Sequence, residues 1–162
     1  MITCRTFNGS TKEVDERDLV FRPSAYGFLT NKDRLLVMEL SVVKRLSLPG
    51  GGVEKGELRE EALKREFNEE TGLDVEVGGL ITSVDDFFYY DPGKEAWHGI
   101  LSFYSCSVLG IQNIEVLKHT NMGEAHEEIP VWKDLKSINK DDFLPPVAVA
   151  FEQLMKRTQN QV

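Results

Sequence analysis

The stretch LPGGGVEKGELREEALKREFNEETGL, residues 48–73, constrains the fold more than any other part of the chain. Consecutive glycines at 50, 51 and 52 let the backbone turn and pass close to a neighbour or a ligand, because no Cβ intervenes. A helix over residues 57–71 follows, and Gly72 stands where a left-handed C-cap is favoured. Glu54, Glu57, Glu60, Glu61, Glu66, Glu69 and Glu70 crowd this short segment. Like charges at helical spacing repel, so the crowding needs a cause.

Helical geometry separates two groups of charge. At about 100° per residue, with Glu66 as origin, Leu58, Ala62, Leu63 and Phe67 fall near 280°, 320°, 60° and 100°. They mark a core-facing half, and Glu69 and Glu70, near 300° and 40°, fall inside it with Glu66. Glu60, Glu61, Lys64 and Asn68 take the opposite, solvated side. Inward carboxylates must be protonated, paired with cations or bound to metal. Arg65 is one basic neighbour and cannot neutralise three. Hard divalent cations prefer carboxylate and carbonyl oxygen, and Mg²⁺ also takes phosphate oxygens. The reading is a Mg²⁺ or Mn²⁺ cluster on one helix face, with the glycine turn as a phosphate–metal cradle; a tight strand-to-helix connection is the plainer alternative for the turn.

The whole chain fits that reading. Its 162 residues make about one domain. With 41% hydrophobic and 28% charged residues it is ordinary globular material rather than a disordered chain. A net charge of -8 argues against a nucleic-acid backbone as partner. A small phosphate ligand fits if a metal ion supplies the positive charge. Apolar runs such as 35–38 are too short to cross a bilayer. The opening MITCRTFNGSTKEVDERD lacks a basic-then-apolar pattern, so no signal peptide is expected. Cys4 and Cys106 have no metal-ligand spacing and read as reduced thiols of a cytoplasmic protein.

No repeat or linker divides the chain, so residues 1–162 are expected to form a single domain. Residues 24–40 read as a hairpin turning at 31–33. Residues 73–79, 80–90 and 97–110 read as strands, the last two joined by the turn-rich DPGKEA. Residues 110–128 read as a long loop holding a short strand at 114–117. Residues 143–157 read as an amphipathic helix that tolerates Pro145 and Pro146 in its first turn. The fold class is α+β, a central sheet with helices packed on it.

Gly51, Glu57, Arg65, Glu66, Phe67, Glu69, Glu70, Gly72 and Leu73 match the pattern G-x5-E-x7-R-E-U-x-E-E-x-G-U, with U aliphatic. The chain thereby resembles the Nudix hydrolases, with Phe67 as the one departure, still apolar. PVWKDL before a final helix is also similar to the family. The resemblance implies an α/β/α sandwich whose mixed sheet carries the box as a loop–helix–loop. It implies hydrolysis of a nucleoside diphosphate linked to a further group, by water attack on phosphorus. With the charge and the short apolar runs, a monomer or homodimer acting on small nucleotides, without nucleic acid or membrane, is expected. It implies divalent metal on Glu66, Glu69 and Glu70 with the Gly51 carbonyl, and a structural pair of Glu57 with Arg65.

Members differ in where the general base lies, so Glu66 and Glu70 remain candidates beside a late loop offering Glu124, Glu127 and Glu128, of which Glu127 or Glu128 is favoured. A tyrosine near Tyr89 and Tyr90 resembles dinucleoside polyphosphate hydrolases, although either ring also suits a strand core. Arg22, Lys44 and Arg45 are positioned upstream of the box to reach phosphates, and Trp97 to stack on a base, with solvated surface and packing as the plainer readings. Trp132 reads as core, and His98, His119 and His126 as structural or surface groups. Two other functions compete: a non-catalytic Nudix-like nucleotide-binding or regulatory domain, which would normally lack box glutamates, and an isopentenyl-diphosphate-isomerase-type enzyme, which needs a catalytic cysteine.

Overall fold

The computed structural model describes residues 1–118 and 127–160. Nine strands and two α-helices form within them. The strands are β1 (Ile2–Thr6), β2 (Thr11–Val14), β3 (Leu19–Asn31), β4 (Arg34–Leu40), β5 (Arg45–Ser47), β6 (Gly50–Gly52), β7 (Val75–Tyr90), β8 (Glu95–Val108) and β9 (Glu128–Asp134). The helices are α1 (Arg59–Thr71) and α2 (Pro145–Gln159). The sheet runs β2-β1-β7-β8-β3-β4-β5, with β6 added on β3 and β9 on β4. It is mixed: β1 runs parallel to β7 and β3 parallel to β8, while the other pairs are antiparallel.

Strand alternation sends neighbouring residues to opposite faces, and the helices take one face each. Phe28, Leu35, Val37 and Phe103 pack with Val147, Ala150 and Phe151 of α2. Leu29, Leu36 and Tyr104 pack with Leu63 and Phe67 of α1. The result is an α/β/α sandwich of the expected class. Among the described residues no helix is long and apolar enough to cross a membrane.

Several elements differ from the sequence reading. The helix begins at Arg59 rather than residue 57, because Leu58 is extended at φ -78, ψ 148. Leu58 is therefore 68% exposed and not part of the core-facing half. Its backbone N–H is capped by the Glu61 carboxylate at 3.1 Å. Residues 73–79 and 80–90 supply one continuous strand, β7, whose register against β8 shifts between Val77 and Thr82. The expected strand at 114–117 is a turn whose Ile114 and Leu117 pack on the α1-side core. Hydrophobic contact and hydrogen bonds, not strand pairing, fix it. Trp132 packs there too and donates its indole N–H to the Ile114 carbonyl at 2.8 Å. The N-terminal β1–β2 hairpin was not legible in the sequence.

Candidate active site

The Gly50–Gly52 strand brings the turn and the helix into contact. Gly50 has φ 139, and a Cβ there would strike the Ala25 carbonyl and Tyr26 backbone. Its N–H is thus free to point at α1, donating to Glu70 Oε2 at 2.9 Å. At Gly51 a Cβ would come within 2.8 Å of the Glu66 carboxylate, so the side chain packs directly on bare backbone. Only glycine allows both approaches.

Arg65 ties the turn to the helix. Its Nε and Nη2 donate to Glu57 Oε1 and Oε2 at 2.9 and 3.0 Å, and Nη2 also to the Gly52 carbonyl at 3.2 Å. Nη1 donates to Glu66 Oε1 at 2.8 Å and reaches Glu69 Oε2 at 3.5 Å. The two-pronged Glu57–Arg65 pair holds the Glu57 carboxyl below its ordinary value, aided by the Glu54 N–H. Bidentate geometry of this kind fixes orientation as well as charge.

Glu66 and Glu70 line one end of a cavity of about 580 Å³, with Glu128 beside them. Burial pushes Glu70 well up, partly opposed by the Gly50 N–H and reinforced by Glu128 and Glu66. Burial also raises Glu66 against the pull of Arg65, and raises Glu128, which Glu66 disfavours further. Three carboxylates thus line one cavity, and Glu66 and Glu128 each disfavour ionisation of Glu70. The expected loop position of Glu128 is corrected: this residue opens β9 opposite Leu40 of β4. Among the described residues no donor lies within hydrogen-bond reach of its carboxylate. Glu127, one position earlier, is exposed, and its carbonyl accepts from the Ser41 N–H and Oγ, each at 3.3 Å. Alternation separates the two glutamates. Glu124, His119 and His126 lie outside the described residues.

Glu69 is brought less close. Its side chain is 58% exposed beside Arg65, at the rim of the helix face rather than in the cavity. Among the described residues no three acidic, imidazole or thiol groups stand together as a closed ligand set. The chemistry of the donors nevertheless fits a hard cation: Glu66, Glu70 and Glu128 offer only oxygen and line one cavity in which burial disfavours their ionised forms unless a cation is present.

Arg22 and Trp97 both line the cavity, the guanidinium lying 4.2 Å from the indole ring centre. A Cβ on Gly52 would meet Arg22 Nη2 at 2.8 Å, so this cation sits against the glycine turn. Tyr89 does not line the cavity; strand alternation turns it to the other face, with Lys12 Nζ 3.6 Å from its ring. Tyr90 takes the cavity position, stacked on Trp97 at 5.0 Å. Arg45 is also away from the cavity, donating through Nη1 to the Asp141 carbonyl beside a separate groove that Lys44 also lines. His98 lies against Phe21 and Phe87 with Asp85 3.1 Å away, as a surface group would. Arg5, Phe7, Asp86 and Phe88 also line the cavity and were not singled out from sequence. Period-two alternation along 86, 88 and 90 carried a signal for the last of these, and nothing local did for Arg5. Neither cysteine lines the cavity: Cys4 is buried under the far face, and burial pushes the Cys106 thiol up to about 12. A thiol-based isomerase gains no support.

A family model described as the NUDIX domain matches residues 20–154. "Nudix hydrolase 25" of Arabidopsis thaliana is 30% identical over 128 residues, covering 70% of this chain and 71% of that protein. An "RNA pyrophosphohydrolase" of Cereibacter sphaeroides is 25% identical over 129 residues, covering 75% and 80%. Among solved structures, a MutT protein from Methanosarcina mazei has a TM-score of 0.64 at 18% identity, covering 87% of this chain and 97% of that one. An ADP-ribose pyrophosphatase from Streptococcus suis has a TM-score of 0.56 at 17% identity, covering 85% and 91%. The family model spans most of the chain and the Arabidopsis relative is 30% identical to it, and the chain belongs to the Nudix hydrolase family.

Proposed function

We propose that this enzyme is a Mg²⁺-dependent pyrophosphohydrolase, with Mn²⁺ as a substitute, that cleaves a nucleoside diphosphate linked to a further group. The class includes nucleoside triphosphates, oxidised nucleotides, dinucleoside polyphosphates and nucleotide sugars. One observation carries the reading: Glu66, Glu70 and Glu128 line the same cavity as the glycine turn and Arg22. Three partly buried carboxylates in one space call for cations, and the relatives named as pyrophosphohydrolases and pyrophosphatase bring the reaction class.

Glu66 and Glu70, with the Gly51 carbonyl, would hold the ion from within the cavity, and Glu69 would join them from the rim. Bound there, a divalent cation neutralises phosphate charge and lowers the pKa of the attacking water. Arg22, held against Trp97 and Gly52 in the same cavity as the carboxylates, contacts a phosphate oxygen. Glu128 serves as general base: its carboxylate lacks a protein donor among the described residues, lines the same cavity as Glu66 and Glu70, and is raised in proton affinity by burial. Arg65 keeps Glu66 and Glu57 oriented. The net charge of -8 favours small nucleotides over long polymers.

The test is a screen of the nucleotide classes above, plus a 5′-triphosphorylated RNA, with Mg²⁺, Mn²⁺ and excess chelator, on wild type and Glu70→Gln. Hydrolysis is expected only with metal and to collapse in the folded variant. Turnover at wild-type rates in chelator overturns the reading.

A further inference from the structure

The cavity extends well beyond the carboxylates. Its floor crosses strands in the order β3, β8, β7, β1, which is three spacings of about 4.8 Å, or about 14 Å. Arg22 and Ser24 of β3 lie at the end near the glycine turn, and Arg5 and Phe7 lie at the far end. Between them run Trp97 and Gly99 of β8 and Asp86, Phe88 and Tyr90 of β7. The far end has a different character from the acidic end. Phe7 meets Phe88 edge-on at 5.7 Å, Phe88 meets Trp97 at 5.7 Å, and Tyr90 stacks on Trp97. Trp97 is steadied by its indole N–H donating to Glu95 at 3.0 Å.

A polar pair is set into this aromatic wall. Arg5 lies 4.5 Å from the Phe88 ring centre and donates through Nε and Nη2 to both oxygens of Asp86, at 2.8 and 2.6 Å. The two side chains are only 22% and 13% exposed. Arg5 Nη1 takes no part in that pair and has no other acceptor among the described residues. An aromatic wall with one fixed donor and a carboxylate edge suits a flat heteroaromatic ring, which stacks and hydrogen-bonds in its plane.

We propose that the β1–β2 hairpin is a specificity element: Arg5 and Phe7, with Asp86, Phe88 and Trp97, form the end of the cavity that receives the nucleobase. The family match begins at residue 20, so this hairpin lies outside it and adds a wall the matched region does not supply. The base then lies across the strands from the phosphates, and the proposal rests on the reading of the acidic end as the phosphate site.

The test compares Phe7→Ala and the double variant Arg5→Ala/Asp86→Ala, which removes both partners and leaves no lone charge, with wild type. Substrates are ATP, GTP, CTP and UTP, and inorganic tripolyphosphate as a base-free control. In each variant KM for its preferred nucleotide is expected to rise about 5- to 100-fold, as for loss of a base contact, with kcat little changed and the base-free control unaffected. Equal losses on both kinds of substrate, or none, overturn the proposal. Binding of uncharged nucleosides, followed by quenching of Trp97 fluorescence without metal, separates this from the hydrolytic reading. If no nucleotide is hydrolysed yet nucleosides quench wild type and not Phe7→Ala, the base slot stands and the hydrolytic reading falls. Wild type that no nucleoside quenches overturns the slot. Thermal melts confirm that each variant is folded.

Discussion

Replacing Gly27 with alanine tests how the helix carrying Glu66 and Glu70 is seated. Phe67 lies between those two residues and is the one position where the box carries a ring in place of an aliphatic chain. It is fully buried, and its ring lies over Gly27 of β3. A Cβ at residue 27 would come within 2.6 Å of Phe67 Cε2 and 3.2 Å of Cζ, and within 2.6 Å of Cys106 Sγ. The large ring on the helix is thus matched by the missing side chain on the strand. Interiors are close-packed, so neither neighbour can yield without displacing others. Gly27→Ala is expected to cost about 1–3 kcal/mol by overpacking. At about 2–4 °C per kcal/mol, the midpoint of thermal unfolding falls by about 2–12 °C. Phe67→Leu leaves a void, at a cost below the roughly 3–5 kcal/mol of full truncation to alanine. Leucine lacks the ring atoms that the new methyl strikes, although the thiol of Cys106 remains, so relief in the double variant is partial. The measurement is chemical denaturation of both single variants and the double. A coupling of about 0.5–3 kcal/mol in the favourable direction is expected. Costs that add to within about 0.5 kcal/mol refute the ring-on-glycine account.

Three further outcomes follow from the site. Glu128→Gln should lower kcat about 10²–10⁴-fold with metal affinity little changed, whereas exposed Glu127→Gln should not; near-normal turnover in Glu128→Gln returns the role of base to Glu66 or Glu70. Glu66, Glu70 and Glu128 all have pKa values raised above the ordinary 4.5, so the stability they contribute is complete below that value and is lost as pH rises through the raised values. The melting temperature in chelator should therefore fall as pH rises above the ordinary carboxylate range, Mg²⁺ should restore it, and Glu70→Gln should melt above wild type at the upper end of the range; a flat profile argues against mutual repulsion. Glu57→Gln keeps one of the two contacts to Arg65, so it should lower thermal stability while leaving the Mg²⁺ dependence of the remaining activity unchanged; a metal titration resembling that of Glu70→Gln would move Glu57 into the ion-binding set.

The sequence by itself determined the parts whose physics is local. The glycine turn, the helix ended by left-handed Gly72 at φ 77, and the hairpin at 31–33 depend on backbone freedom and periodicity within a few residues. Helical spacing also put Glu66 and Glu70 on the inward side, and both line the cavity. Spacing could not tell that Glu69 sits at the rim, because a helix wheel ranks angles and ignores how far the neighbouring strand extends. Nor could it separate Glu127 from Glu128, or Tyr89 from Tyr90. Each of those choices turns on which face of a strand a residue takes, and register is set by partners far away in sequence: Leu40 for Glu128 and Trp97 for Phe88. Arg5 is the extreme case. It enters the cavity through parallel pairing of β1 with β7 and a carboxylate 81 positions away, a contact that only the folded sheet could bring about.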